Sequence, residues 1–144
     1  MTELVMMIGV PGCGKSTLSQ NVYGKTHEIV SSDKIREEML GEVNDQNHNA
    51  DVFTEFHNRV VHHLLNGENV VYDATNIKFS NRKEMLSLVP ASVKTVAVVF
   101  LSLEKAKKQN KMRERCVPES VIDRMAFQFE MPHDGEFDEV YYIF

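Results

Sequence analysis

Short apolar runs alternate with segments of helical periodicity along this chain. The apolar runs predict strands at 3–8, 27–30, 69–72, 93–101 and 138–144. Between them, apolar residues at helical spacing and helix-start signals predict helices at 15–23, 33–40, 50–66, 80–88, 104–112 and from 118 onward. Strands that alternate with helices are typical of a parallel sheet covered on both faces. The pattern therefore predicts a three-layer α/β fold with a parallel sheet of about five strands.

Turn and cap residues sharpen the boundaries of these elements. Ser32 or Asp33 is the expected N-cap of the second helix, Gly41 is its expected end, and Ser80 is the expected N-cap of the fourth helix. The polar segment 44–49 predicts a loop. The 144 residues contain no repeat, low-complexity stretch or linker, so we expect one domain over the whole chain.

The most specific motif follows the first strand. Residues 9–16 are Gly-Val-Pro-Gly-Cys-Gly-Lys-Ser, which matches the phosphate-loop pattern G-x-x-x-x-G-K-[S/T]. In this pattern the glycines let backbone N–H groups point at phosphate oxygens, Lys15 bridges the outer phosphates, and Ser16 ligates Mg²⁺. The residues expected to hold the nucleotide here are Gly9, Gly12, Cys13, Gly14, Lys15, Ser16 and Thr17. We therefore expect ATP and Mg²⁺ as cofactors.

Composition indicates the cellular compartment and restricts the classes of partner that we expect. The chain has two cysteines and no apolar segment long enough to cross a membrane, which predicts a cytoplasmic protein without a membrane partner. The net charge of −5 argues against a histone-like, generally nucleic-acid-binding protein. A local exception is the segment 105–115, which carries six basic residues and one acidic residue. This segment is either a solvated helix face or part of a lid over a bound anion.

Polar side chains follow the second predicted strand. Asp33 can accept the proton of an attacking hydroxyl group, and Arg36, three residues later on the same helix, can hold a phosphate of the acceptor. The alternative is that Asp33 only caps the helix while Arg36 is a surface charge.

A second polar cluster, at 73–76, follows the third strand. Asp73 ends an apolar strand, as does the carboxylate that holds Mg²⁺ through a water molecule in P-loop proteins. Thr75 and Asn76 are short polar side chains suited to a phosphate or a ribose. The alternative is a plain turn, but the ends of parallel strands are where ligands bind in open α/β sheets.

These motifs, in this order, resemble those of the P-loop polynucleotide 5′-hydroxyl kinases. The matching segments are 10–17, 32–36, 73–76 with Arg82, 110–113 and 117–118. The resemblance implies that Asp33 is the general base on the acceptor 5′-hydroxyl and that Arg36 binds the 3′-phosphate of the acceptor's terminal nucleotide. It also implies that Thr75, Asn76 and Arg82 line the acceptor site.

The resemblance further implies that the segment 105–117 is a short helical lid. Arg113 would neutralise the charge that develops on the transferred phosphoryl group. The family carries a second lid arginine where this chain has Gln109, and Arg115 is the candidate replacement on the ATP phosphates. The family pattern also has an aspartate where this chain has Ala74.

The sequence therefore predicts an enzyme that transfers the γ-phosphate of ATP to the 5′-hydroxyl end of DNA or RNA, with Lys15, Asp33 and Arg113 as its catalytic groups. Three alternatives stay open. A kinase of the same fold for a nucleoside, nucleotide or sugar needs a closed pocket, whereas a polynucleotide needs an open, basic path to Asp33. An ATP-driven switch module carries a water-positioning residue in place of a base. An inactive remnant binds nucleotide without transferring phosphate.

Overall fold

A computed structural model of the chain describes residues 1–41, 48–113 and 116–144. Within these ranges the strands are β1 (Glu3–Ile8), β2 (Glu28–Ser31), β3 (Val70–Asp73), β4 (Lys94–Phe100) and β5 (Glu139–Ile143). They form one sheet in the order β2-β3-β1-β4-β5, and every neighbouring pair is parallel. This arrangement confirms the predicted α/β fold with five parallel strands.

Helices connect the strands and cover the sheet. They are α1 (Lys15–Leu18), which continues as a π-helical segment (Ser19–Tyr23), α2 (Ser32–Leu40), α3 (Asn49–Leu65), α4 (Phe79–Leu86), α5 (Leu103–Asn110) and α6 (Glu119–Gln128). Among the described residues, none of these helices has both the length and the apolar character that crossing a bilayer requires. Because the strands are parallel, their carboxyl ends lie along one edge of the sheet.

The central strand β1 is buried on both faces. Leu4, Met6 and Ile8 pack into a cluster with residues of α2, α3 and α4. Val5 and Met7 point to the opposite face and pack against α1. The unbroken apolar run of this strand is explained by its position, since parallel strands covered on both sides have no solvent-facing side chains.

The start of α2 differs from the prediction. Its N-cap is Ser31 instead of Ser32 or Asp33, and the Ser31 hydroxyl oxygen accepts a hydrogen bond from the N–H of Lys34 at 3.4 Å. Ser31 takes the cap because it still has the extended backbone angles of β2. Gly41 ends the helix as predicted, with a φ of +69°. The Asp33 side chain is therefore not used as the helix cap.

Two further boundaries also move. Helix α4 begins at Phe79, and Lys78 occupies its N-cap without a side-chain hydrogen bond, so Ser80 lies inside the helix and does not cap it. Helix α3 begins at Asn49, at the end of the predicted loop. The remainder of that loop, 44–47, lies outside the described residues.

Candidate functional site

The predicted phosphate loop connects β1 to α1 at the carboxyl edge of the sheet. Gly12 and Gly14 have φ angles of +84° and +102°, in the left-handed region that residues with a side chain rarely adopt. A Cβ on Gly12 would also lie 2.7 Å from the carbonyl oxygen of Ala106 in α5. The loop therefore needs glycine at these positions, and at Gly12 its backbone packs directly on α5.

The Lys15 side chain is buried inside this loop. Its Nζ donates hydrogen bonds to the carbonyl oxygens of Gly9 and Val10, both at 3.0 Å. Cys13 Sγ lies 3.6 Å from the same Nζ, and the Cys13 side chain packs among apolar neighbours on both sides of the loop. The Cys13 side chain therefore fills space between two apolar clusters. The Lys15 ammonium group is thus hydrogen-bonded to the backbone of the loop that contains it.

A hydroxyl and a carboxylate meet beside the loop, at the positions predicted to hold a metal. Ser16 Oγ donates a 2.9 Å hydrogen bond to Asp73 Oδ2 at the end of β3. Burial raises the pKa of Asp73, while the nearby Lys15 charge and the Ser16 hydrogen bond lower it. Hard oxygen donors of this kind suit Mg²⁺, and a divalent cation would favour the ionised carboxylate. Thr17 follows in the first turn of α1 and is exposed.

Asp33 and Arg36 form an ion pair on α2. Arg36 Nη1 donates to Asp33 Oδ1 at 3.1 Å, and Arg36 Nη2 donates to Asn49 Oδ1 at 2.9 Å. The alternative that Arg36 is a surface charge is wrong, because this residue is only 6% exposed. Its Nε is buried and makes no hydrogen bond with any described residue. Half of the Asp33 side chain is exposed, and its charge lies close enough to raise the pKa of Asp73.

The segment after β3 is hydrogen-bonded to the end of β1 and to the start of the phosphate loop. The carbonyl oxygen of Thr75 accepts a 2.9 Å hydrogen bond from the N–H of Gly9. Asn76 is buried with a φ of +51°, and its Nδ2 donates to the carbonyl oxygens of Met7 and Ala74 at 2.7 and 3.2 Å. Thr75 is half-buried. The amide group of Asn76 is turned into the fold, so its predicted place lining the acceptor site is corrected to a structural one.

Arg82 requires a correction of its predicted place in the acceptor site. The side chain is fully buried and pairs with Glu136, with Nε 2.6 Å from Oε2. Its Nη atoms donate to the carbonyl oxygens of Asn76, Glu130 and Met131. With its donors occupied in this way, the guanidinium presents no N–H group to an acceptor. Arg82 instead fastens the segment 130–136 to α4 and to the turn after β3.

The predicted lid, 105–117, comprises most of α5 and the segment that follows it. Gln109 lies against the phosphate loop, since a Cβ on Gly14 would be 3.6 Å from its Oε1. Arg113 follows the helix, is half-buried, and donates its backbone N–H to the carbonyl oxygen of Asn110 at 3.2 Å. Its guanidinium makes no hydrogen bond or ion pair with the described part of the chain. The predicted second lid arginine, Arg115, lies outside the described residues.

Some residues of the site escape sequence reasoning. Asn49 was predicted in a loop, yet it accepts a hydrogen bond from Arg36. Asn110, inside the predicted lid, is buried and forms two hydrogen bonds with Val117. The only sequence signal for Asn110 was its position as an asparagine within a basic segment. This signal does not indicate that Val117 is its hydrogen-bond partner.

Comparison with known proteins identifies the fold family. The family described as AAA domain matches residues 4–132 of the chain. A structure of the Pnkp1/Rnl/Hen1 RNA repair complex contains a chain with 21% identity and a TM-score of 0.76, over 88% of this chain and 43% of that one. A sugar kinase from Janibacter sp. HTCC2649 has 17% identity and a TM-score of 0.72, over 99% and 85% of the two chains.

A fungal RNA kinase is also similar, with 16% identity and a TM-score of 0.58, over 99% of this chain and 38% of that one. Our chain therefore spans less than half the length of the matched RNA-repair and RNA-kinase chains. At these identities the likeness shows a shared α/β P-loop kinase fold. Because the similar structures include kinases of RNA and of small molecules, the fold leaves the substrate class open.

Proposed function

Because the chain belongs to the AAA domain family and has the fold of the P-loop kinases, we propose that it transfers the γ-phosphate of ATP to the 5′-hydroxyl end of a DNA or RNA strand. The observation that carries this proposal is the Asp33–Arg36 pair beside Ser16 and Asp73. The pair combines a partly exposed carboxylate, whose charge acts on Asp73, with a buried guanidinium that has one unpaired N–H, and this combination supports the proposal.

The donor half of the reaction belongs to the phosphate loop. Its backbone N–H groups and the Lys15 ammonium would hold the phosphates of ATP. Ser16 would ligate Mg²⁺ directly and Asp73 through a water molecule, and the metal would neutralise charge on the phosphates. Arg113 would add positive charge during transfer, when the negative charge of the phosphoryl group spreads over its oxygens.

The acceptor half belongs to α2. Asp33 would accept the proton of the 5′-hydroxyl as its oxygen attacks the γ-phosphorus, so that the proton ends on the Asp33 carboxylate. The bond from the γ-phosphorus to the β-phosphate oxygen would break in the same step, and ADP would leave. Arg36 holds that carboxylate in place through Nη1. A buried guanidinium N–H without a partner is unfavourable, and a phosphate oxygen of the acceptor would satisfy the Arg36 Nε. This favours an acceptor that carries an anionic group near its hydroxyl.

A second candidate function rests on the same guanidinium. Arginine binds a carboxylate as readily as it binds a phosphate, and sugar kinases share this fold. A small anionic acceptor, such as a sugar acid or a sugar phosphate, would therefore also fit Arg36. The two candidates differ in the length of the acceptor, because a polynucleotide must leave the site through an open path.

An acceptor panel with γ-labelled ATP tests the proposal. We expect transfer to a 5′-hydroxyl oligonucleotide and to a nucleoside 3′-monophosphate, and little transfer to the plain nucleoside. Asp33→Asn should lower kcat by about 10²–10⁴-fold while ATP affinity is retained. Lys25→Ala, an exposed residue away from these groups, is the matched control. Transfer to gluconate but not to the oligonucleotide would establish the second candidate, and ATP hydrolysis without transfer to any acceptor would indicate a switch module.

A further inference from the structure

Asn110 lies where the phosphate loop, α5 and the segment that carries Arg113 meet. We propose that Asn110 is a positioning residue that sets Arg113 relative to the phosphate loop. This inference rests on the proposed role of Arg113 in phosphoryl transfer. It concerns the donor half of the reaction and does not depend on which acceptor is used.

The first observation is a clasp formed by the Asn110 side chain. Its Nδ2 donates to the carbonyl oxygen of Val117 at 2.8 Å, and its Oδ1 accepts from the N–H of Val117 at 3.0 Å. The carboxamide therefore pairs with both backbone groups of one residue, as a neighbouring strand would. This pairing fixes the end of α5 relative to Val117, which leads into α6.

The backbone carbonyl group of Asn110 is hydrogen-bonded to residues that follow it in the chain. Its carbonyl oxygen accepts hydrogen bonds from the N–H of Arg113 at 3.2 Å and from the Cys116 thiol at 2.9 Å. Arg113 is thus tied by its backbone to Asn110, three residues before it, and its own carbonyl oxygen lies 3.1 Å from Cys116 Sγ and shares the one S–H with the Asn110 carbonyl oxygen. The backbone of Arg113 is therefore hydrogen-bonded to the residue whose side chain forms the clasp.

The third observation joins the clasp to the phosphate loop. A Cβ on Gly12 would lie 3.0 Å from Cβ of Asn110 and 3.2 Å from its backbone nitrogen. On the same side, Val10 packs with Ala106 of α5 and with Val117 in a small apolar cluster. Because the loop and the clasp are in van der Waals contact, a shift of Asn110 would move Arg113 relative to the phosphate loop, and so relative to the ATP phosphates that the loop is proposed to hold.

An asparagine is well suited to this position for a chemical reason. The clasp needs one donor and one acceptor in a planar group of short reach, and Asn110 is buried, so water would replace the lost bonds poorly. Alanine would leave the Val117 N–H and carbonyl without their partner. We expect the segment to loosen and Arg113 to lose its alignment, and a misplacement of about 1 Å can lower kcat by about 10²-fold.

A double-mutant cycle tests the proposal. Asn110→Ala should lower kcat by about 10²-fold with little change in the KM for ATP. In an Arg113→Ala background the same change should cost less than about twofold, since the group that it positions is already gone. Asn110→Gln, which retains a donor and an acceptor on a side chain one methylene longer, should lose less activity and carries the cycle if the alanine variant does not fold. Ser120→Ala, exposed on α6, is the matched control.

A readout that needs no acceptor separates this inference from the proposed function. Hydrogen exchange at 111–117 and in the phosphate loop is measured with and without ATP. Nucleotide should protect both segments in the wild type, and only the phosphate loop in Asn110→Ala. Two results would overturn the positioning role. One is a double mutant whose fold-loss in kcat equals the product of the losses of Asn110→Ala and Arg113→Ala. The other is equal protection of 111–117 by ATP in the wild type and in Asn110→Ala. An acceptor panel that gives no transfer overturns the proposed function alone.

Discussion

Replacement of Arg82 by methionine should destabilise this domain without changing how it recognises an acceptor. The guanidinium is fully buried and pairs with Glu136, whose side chain is 4% exposed. It also donates hydrogen bonds to the carbonyl oxygens of Asn76, Glu130 and Met131. Methionine fills a similar volume but leaves a buried carboxylate and these carbonyl groups without their donor.

The expected loss follows from these contacts. Removal of one partner from a buried ion pair costs about 3–5 kcal/mol of unfolding free energy, and the unpaired carbonyl groups place Arg82→Met at the upper end. For a domain of this size that corresponds to a fall of about 10–15 °C in the melting temperature. Glu136→Gln keeps one acceptor oxygen but replaces the other with an NH2 group that faces a donor, and it leaves the Arg82 charge without its partner, so we also expect a loss of about 3–5 kcal/mol.

Urea unfolding and transfer kinetics on the same variants check the prediction. Arg59→Met is the matched control, because Arg59 also makes two ion pairs, with Glu38 and Glu55, but is partly exposed. The Arg59→Met variant should lose less than about 1 kcal/mol of unfolding free energy. If Arg82→Met unfolded like the wild type while the KM for the acceptor rose, Arg82 would belong to the acceptor site after all.

Three further predictions concern the phosphate loop and the core. Lys15→Ala should abolish transfer while the melting temperature stays within a few degrees, as measured by label transfer and calorimetry; normal transfer would remove the loop from the mechanism. Gly12→Ala should abolish ATP binding by titration calorimetry, because its Cβ would meet the carbonyl oxygen of Ala106 at 2.7 Å; the control Gly41→Ala, which meets no atom within 4 Å, should bind ATP normally. Burial lowers the pKa of His57 below its ordinary value of 6.5, against an opposing effect of Glu84. Below that pH the unfolded chain takes up a proton that the folded chain does not, so the free energy of unfolding should fall as the pH drops from 7 to 5.5. His57→Phe should show a weaker dependence in urea titrations, and an unchanged slope would mean that other groups cause it.

The parts of the site that sequence could predict are local in the chain. The phosphate loop is a contiguous motif whose glycines, lysine and serine act within a few residues of each other. The positions of Asp33 and Asp73 were predictable because Asp73 ends β3 and Asp33 comes two residues after β2, and parallel strands bring their ends to one edge. In both cases the physical cause lies within one connection between a strand and a helix.

The parts that could not be predicted depend on contacts between distant segments. Arg82 lies 54 residues before Glu136 in the chain, and a lone arginine on a helix gives no sign that its partner is buried. The pairing of Asn110 with Val117 depends on how the chain returns after α5. The cap of α2 moved to Ser31 because strand geometry persists one residue further than composition indicates.

The proposed donor and acceptor groups follow strands that differ in their resistance to local unfolding. The phosphate loop extends from β1, which lies at the centre of the sheet, pairs with β3 and β4 and is fully enclosed by apolar side chains. Asp33 and Arg36 follow β2, a strand of four residues at the sheet's edge. Edge elements open at lower free energy than central ones. On warming, the chain should therefore lose its acceptor groups first and continue to bind nucleotide in a partly opened form that cannot transfer phosphate.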